Sequence, residues 1–469
     1  MDIVLWDRRA RRVVKEAAGG FGAVGHVSLG GIHGLVLDYL AGRDRAPAPL
    51  IFAILAGVFR RLGHHVRYLP DCLPPRADAY VFCPSLPTVD VERRMAERLL
   101  ARESRARILV VGPVASILPE AFQGLDVTLV QGEAEQLLWK FDEVIERSGG
   151  AVQLGLLEDL DRLPPADWSP FDFRRFRLPR EFWRFPTAYV EQSRGCSLGC
   201  SYCPTTALEG GVRFRDPRAV VEEIRDASRR WGFRSFKFRD PTFGLNRALV
   251  FQLAEYLGRL DRRIQFSIET RSDLMRPEVL RVLKRVGLSC VTVGVETPDL
   301  RMLQRHGRAA VEPECHRDLV ALCRSLGIRT TATFMIGFPG ETEESVLATL
   351  EYAQSINPTF AQFHLVTPYP GTRFAAEQEG AAEGRLPGER LESLLETCFR
   401  RFYFRRAYLV DNAHLVWPGL RRWGPGRERR VLPHGQGPHD GPPQPAGGLD
   451  ALRHRGGLRQ DGPHARHAH

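Results

Sequence analysis

Three cysteines in the stretch RGCSLGCSYCP, residues 194–204, carry the most specific chemistry in this chain. Cys196, Cys200 and Cys203 stand in a CxxxCxxC array directly after a short apolar strand. A structural zinc site takes four protein ligands, and a four-iron cluster held wholly by protein takes four cysteines. No fourth cysteine lies near. Three thiolates at this spacing suit a [4Fe-4S] cube in which three irons are held and the fourth is open to a non-protein ligand. The competing account is three buried or zinc-bound cysteines.

The elements that must position such a site follow in regular order. Strand SFKFRD ends in Asp240, with Pro241 and Thr242 behind it; QFSIETR ends in Glu269 and Arg271; CVTVGVE ends in Gly294 and Glu296; TATFMIGFPGET and AQFHLVTPYPGT follow. Helical patterns separate them, and with the strand before the cysteines they make six strand-and-helix units. This predicts a partial parallel (β/α)6 barrel over 186–385 with its site at the carboxyl ends of the strands. Glu269 and Glu296 end apolar strands there, and surface carboxylates are the bland alternative. Cys290, Cys315, Cys323 and Cys398 fall on apolar faces and are expected to fill the core. His364 and Tyr369, at the last strand, are candidates to face substrate.

Before the cysteines the rhythm is similar. A strand at Ile3–Trp6, a buried helix in PLIFAILAGVFRRLG, and strands HVRYL, AYVFCPS, RILVVGP and VTLVQGEAE, with a helix near 90–102, predict an α/β, doubly wound (Rossmann-like) parallel sheet over 1–147. Such sheets bind ligands at the carboxyl ends of their strands, where Ser85, Gly112 and Gly132 stand. His26 and His33, in a glycine-rich stretch, read as surface residues. Residues 148–185, rich in Pro, Arg and aromatics, are expected to be a linker strap that cannot readily pair into a sheet. Residues 386–411 read as a C-terminal helical region.

Nine cysteines without a signal peptide point to a reducing, cytoplasmic setting. The longest apolar run, Pro49–Phe59, is about half of what a membrane span needs. The net charge of +10 invites a nucleic-acid partner, but residues 412–469 hold nine Arg against four acidic residues, about half of that excess. Only four of the 66 basic residues are Lys, a usage that suits a GC-rich genome more than phosphate recognition. The same tail holds seven of the 14 His, has almost no apolar periodicity and cannot bury a core; disorder, or read-through in a wrong frame, accounts for it.

In the order and spacing of the cysteine array and strand ends, residues 186–385 resemble the radical S-adenosylmethionine (SAM) superfamily. The amino-terminal half resembles the cobalamin-binding domain of one class of those enzymes, on the segments LAGVFRRLGHHV, VVGPVASILPEAF and VQGEAEQLL. The resemblance implies a cluster whose open iron is chelated by the amino and carboxylate groups of SAM, with Tyr202 near the adenine. It places the backbone of Asp240 to Thr242 at the SAM amino group, Glu269 and Arg271 at the methionyl part, Glu296 and Thr333 at the ribose, Ile336 and Gly337 at the adenine, and Arg305 or Arg308 at the carboxylate. Ser85, Gly112 and Gly132 would border cobalamin.

One departure stands out. Domains that bind cobalt through histidine carry D-x-H-x-x-G, whereas here the region reads DRAPAPL. Either cobalamin binds without that imidazole or the domain has lost it; retention is the expectation. The implied activity is a cobalamin-dependent radical SAM C-methyltransferase acting on an unactivated carbon of a small metabolite or peptide, served by an external one-electron reductant such as flavodoxin or ferredoxin. Alternatives are a cyclisation, oxidation or rearrangement, or a non-catalytic iron-sulfur protein, which would not need the strand-end residues. A transfer-RNA-modifying enzyme would need a second cysteine set, and Cys72 with Cys83 is too few.

Overall fold

The computed structural model describes residues 1–8, 46–378 and 384–412, together with the backbone of 13–15 and 23–25. The expectations for His26, His33 and nearly all of the 412–469 tail lie outside these residues. Two six-stranded parallel sheets dominate. The first consists of β1 (Asp2–Asp7), β4 (His65–Pro70), β5 (Ala79–Phe82), β6 (Arg107–Val110), β7 (Thr128–Gly132) and β8 (Gly150–Gly155) in the order β4-β1-β5-β6-β7-β8. Strands β1 and β5 are buried almost throughout, as continuous apolar runs in a parallel sheet covered on both faces must be. A separate antiparallel pair joins β2 (Val13–Lys15) to β3 (Ala23–Gly25).

The apolar helix Leu50–Arg61 is buried from Leu50 to Phe59 and exposes only its terminal arginines. Its burial depends on a segment far along the chain. A Cβ at Gly57 would stand 2.4 Å from the Pro165 carbonyl oxygen, so glycine alone lets residues 165–167 cross the helix. The Asp167 N–H donates to Ala53 O at 2.8 Å, and the Asp167 carboxylate meets Arg60 at 2.6 Å.

The expected linker is corrected at its start. Residues 150–155 form β8 and pair with β7 from Thr128↔Gly150, so the first sheet ends within the segment expected to avoid sheets. The remainder is a strap with buried aromatics that grips both halves. Phe171 packs on Tyr68 of β4, and Trp168 packs edge-on to Phe233 beside the second sheet.

The second sheet runs in chain order: β9 (Thr187–Val190), β12 (Ser235–Phe238), β13 (Gln265–Thr270), β14 (Leu288–Glu296), β15 (Arg329–Ile336) and β16 (Phe360–Leu365). Side-chain caps start the intervening helices where the sequence offers them: Asp216, Asn246 and Asp299 each accept first-turn N–H groups, and Thr342 with Ser345 forms a capping box. Phe236, Phe238, Phe266, Ile268, Val291 and Val293 join the helices in one core. Helix Gly388–Tyr403 covers the edge strand β16, with the Tyr403 hydroxyl donating to Ala361 O and accepting from Ala361 N–H. Cys290, Cys323 and Cys398 are core residues as expected, while Cys315 is only half-buried. Among the described residues no helix is long and apolar enough to cross a membrane.

Candidate active site

The cysteine loop is held by a clasp. β10 (Ser193–Arg194) pairs antiparallel with β11 (Arg213–Phe214), and residues 195–212 loop out between them. Gly195 sits at φ +81°, and a Cβ there would lie 2.4 Å from Gly211 O, so the clasp closes only on glycine. The Gly195 N–H donates to the Glu209 carboxylate at 2.8 Å. Below the loop, Ser201 N–H donates to His306 O at 2.8 Å, the Ser201 hydroxyl meets His306 Nδ1 at 3.1 Å, and Phe374 N–H donates to Ser201 O. Burial holds His306 below its ordinary range, so the ring is neutral and stacks on Phe338.

Cys196, Cys200 and Cys203 are free thiols lining one cavity of about 990 Å³. Thr242 Oγ1 is 3.7 Å from Cys196 Sγ, and Arg308 Nη1 is 4.0 Å from Cys200 Sγ. The half-buried Arg308 thus sets a cation beside the thiols. Among the described residues no three His, Cys, Asp or Glu side chains converge to hold one metal ion. Three thiols around one cavity match the three-ligand set of a [4Fe-4S] cube with one open iron.

Tyr202, Thr242, Glu269, Glu296 and Arg308 line the same cavity. Glu296 takes a left-handed φ of +68° where β14 is irregular, and its carboxylate lies 3.4 Å from Arg308. Gly294 makes room for that pair: a Cβ would stand 2.7 Å from Glu296 Oε1 and 2.9 Å from Arg308 Nη2. Burial raises the Glu296 carboxyl, with Arg308 opposing. Burial would raise Glu269 too, but Arg239 and Lys237 outweigh it and bring its carboxyl down to about 2.

The other strand-end candidates are placed differently. Arg271 is engaged by Asp273 through two 3.0 Å contacts. Arg305 is exposed, so of the two candidate arginines Arg308 is the one that lines the cavity, where Arg239 is a further cation. Thr333 donates to Val293 O at 3.4 Å; Ile336 is fully buried in the core; Gly337 N–H donates to Glu341. His364 lies on β16, where burial keeps its ring neutral.

Asp240 turns away from the cavity, accepting from Gln192 N–H at 2.9 Å and from the Ser193 hydroxyl at 2.6 Å, and burial lifts its carboxyl to about 7. A carboxyl raised in the folded state binds a proton that the unfolded chain has released, so stability falls as pH rises from about 4 to about 7. The shift from 3.8 to about 7 is worth at most about 4 kcal/mol. Urea denaturation at pH 5 and pH 7.5 is expected to show this loss in the parent and its disappearance in Asp240→Asn; equal slopes would refute it.

A second cleft, of about 740 Å³, opens beside the carboxyl ends of β6 and β7. Gly112 and Gly132 line it, with Leu50, Ile51 and Ile54 from the buried helix. It shares Pro113, Leu208, Glu209, Arg239 and Pro241 with the cysteine cavity, so the two spaces have a common wall. No histidine is among the described residues that line it. Ser85 is not there: it is fully buried and its hydroxyl pairs with Thr88 at 2.7 Å. Gly132 is required by its neighbour as well as by the cleft, since a Cβ would meet Gly155 O at 2.4 Å.

Sequence reasoning missed the charges that join the two spaces. Arg194 contacts Glu133 at 3.1 Å, Glu135 at 3.0 Å and Glu191 at 2.5 Å, and Arg213 meets Glu133 at 2.8 Å. Glu133 and Glu135 follow β7 of the first sheet; Arg194 precedes the first cysteine. Only the chain's return after about 60 residues brings them together, so no local pattern announces them.

A family model described as the Radical SAM superfamily matches residues 190–353. The chain is 28% identical over 220 residues to an uncharacterized methyltransferase of Pyrococcus horikoshii, covering 46% of this chain and 47% of that protein. It is 26% identical over 273 residues to the anaerobic magnesium-protoporphyrin IX monomethyl ester cyclase of Rubrivivax gelatinosus, covering 54% and 48%. The chain therefore spans about half the length of these curated relatives. In fold it is similar to the radical S-adenosylmethionine methyltransferase TsrM from Kitasatospora setae, solved with cobalamin and a [4Fe-4S] cluster, at a TM-score of 0.57 and 19% identity over 82% of this chain and 79% of that one. Residues 190–353, with their CxxxCxxC loop, are thus similar to the radical SAM superfamily, whose domain implies a [4Fe-4S] cluster and SAM.

Proposed function

We propose that this chain is a cobalamin-dependent radical SAM methyltransferase acting on an unactivated carbon of a small metabolite or peptide. The observation that carries the proposal is the common wall between the cysteine cavity and the cleft at Gly112 and Gly132. Two cofactors seated there could act on one substrate without its release. When bound, the reduced cluster and SAM supply a radical that removes a hydrogen atom, and methylcobalamin supplies the methyl group.

The chain's own residues hold, orient and shield. Cys196, Cys200 and Cys203 would hold the cube, with Arg308 offsetting its negative charge. The buried Tyr202 hydroxyl has no protein partner, which fits a donor kept for a ligand. Glu269, ionised over the whole working range, suits the cationic part of SAM, and Glu296 with Arg308 offers one acid and one base to its polar groups. The second sheet would curve as a partial (β/α)6 barrel behind the first, cobalamin-binding domain. An external one-electron donor such as flavodoxin or ferredoxin would serve it, and nine free thiols suit the cytoplasm.

Anaerobic reconstitution with iron, sulfide and hydroxocobalamin, followed by incubation with SAM, reductant and candidate metabolites, tests the proposal. S-adenosylhomocysteine and 5′-deoxyadenosine are expected together with a methylated product in the mass spectrum. Failure to retain cobalamin at micromolar protein would overturn the proposal. Likeness to the cyclase favours a cyclisation, oxidation or rearrangement as the second reading, which 5′-deoxyadenosine without S-adenosylhomocysteine would support.

A further inference from the structure

Behind the cavity, the face of the second sheet that carries Glu269 continues to Lys237 and Glu181, which do not line it. Lys237 lies on β12, two residues before Arg239, which follows the strand, and both side chains reach Glu269. Its Nζ is 2.7 Å from Glu181 Oε1 and 3.1 Å from Glu269 Oε1, and Arg239 Nη1 is 2.9 Å from Glu269 Oε2. Burial opposes the Lys237 charge, but the two carboxylates outweigh it and keep the ammonium protonated.

Glu181 belongs to the strap rather than the sheet, and it is fastened there. Ser267 donates to its second carboxylate oxygen, Ser289 donates to its carbonyl at 3.1 Å, and Arg329 Nη1 donates to the carbonyls of Pro179 and Arg180 at 2.8 and 2.9 Å. Its side chain is 13% exposed. A carboxylate this well held beside a shared lysine governs how much positive charge reaches Glu269.

We infer that Glu181 is a positioning residue for the SAM site: by sharing Lys237 with Glu269, it keeps the charge behind the cavity balanced, so that Glu269 presents its negative charge to a cationic ligand. The inference rests on the proposed function, in which the ligand is SAM, whose sulfonium and ammonium outnumber its one carboxylate. With Glu181, Lys237, Arg239 and Glu269 all charged, the group sums to zero; without the Glu181 charge it is cationic. One added unit charge on the order of 10 Å from a cationic ligand in a partly buried site weakens binding by about tenfold.

The test is equilibrium binding of SAM to the cluster-loaded full chain, read from the change SAM makes in the electron paramagnetic resonance spectrum of the reduced cluster. Glu181→Gln is expected to weaken binding by about tenfold, with iron content as in the parent. Glu181→Asp keeps the charge and the affinity. The double variant Glu181→Gln/Lys237→Met restores the balance and returns the affinity toward that of the parent, which a merely structural role would not do. Parent-like binding by Glu181→Gln, a double variant as weak as the single one, or loss of iron from Glu181→Gln would each overturn the inference. A parent chain that loads its cluster but does not bind SAM would overturn the proposed function and the inference with it.

Discussion

Alanine at Cys196, Cys200 or Cys203 abolishes reductive cleavage of SAM, whereas Cys290→Ala leaves it unchanged. In the proposed cluster each thiol of the array would be the sole protein ligand of one iron, and a cube left with two thiolates would be weakly held. The loop cannot supply a substitute, since among the described cysteines the remaining six do not line the cavity. Cys290 has no such role. It is fully buried on β14, its Sγ meets only the Thr331 hydroxyl at 3.9 Å among the contacts resolved, and burial pushes its thiol up to about 12. Production of 5′-deoxyadenosine under anaerobic conditions, alongside iron content, distinguishes the two groups. Undiminished product from any of the first three variants would remove the cluster assignment.

Arg194→Met lowers the unfolding free energy by about 3–5 kcal/mol, the cost of removing one partner from a buried ionic group. Arg194 is 8% exposed, and Glu133, Glu135 and Glu191 all press on it. Glu133 retains Arg213, but Glu135, already raised by burial, loses the one cation that opposes the rise. Carboxyls raised in the folded state are destabilising above their unfolded values, so the variant recovers part of its loss at pH 5 relative to pH 7.5. Glu135→Gln added to Arg194→Met is expected to recover part as well. Denaturant melts of the cluster-free protein measure all three; a loss under about 1 kcal/mol would mean that the network is solvated rather than buried.

The parallel strands were legible because each is a short apolar run closed by turn residues. The cysteines announced themselves by spacing. Strand ends were a weaker guide. Asp240 stands two residues beyond β12, and its side chain finds Ser193 rather than the cavity, while Arg271 found Asp273 two residues away. Ser85 spends its hydroxyl on the turn that starts a helix. Lys237 was readable in principle, since a lysine alternating with Phe236 and Phe238 must leave the core face, yet its partner Glu181 lies 56 residues away in the strap. β8 was missed because its glycines and alternating exposure resemble a connection more than a buried strand.

The strap bears on how such a chain can be recombined. Its Pro165 carbonyl depends on a glycine in one half, Phe171 on a tyrosine of β4, Trp168 on Phe233, and Glu181 on a lysine of β12. A chimera joined anywhere between residues 156 and 186 inherits half of these fits from each parent and satisfies neither. Swapping the first sheet for that of a relative, to change what it carries, therefore requires co-selecting positions 57, 68, 233 and 237 with the strap, and natural exchange between such proteins meets the same barrier.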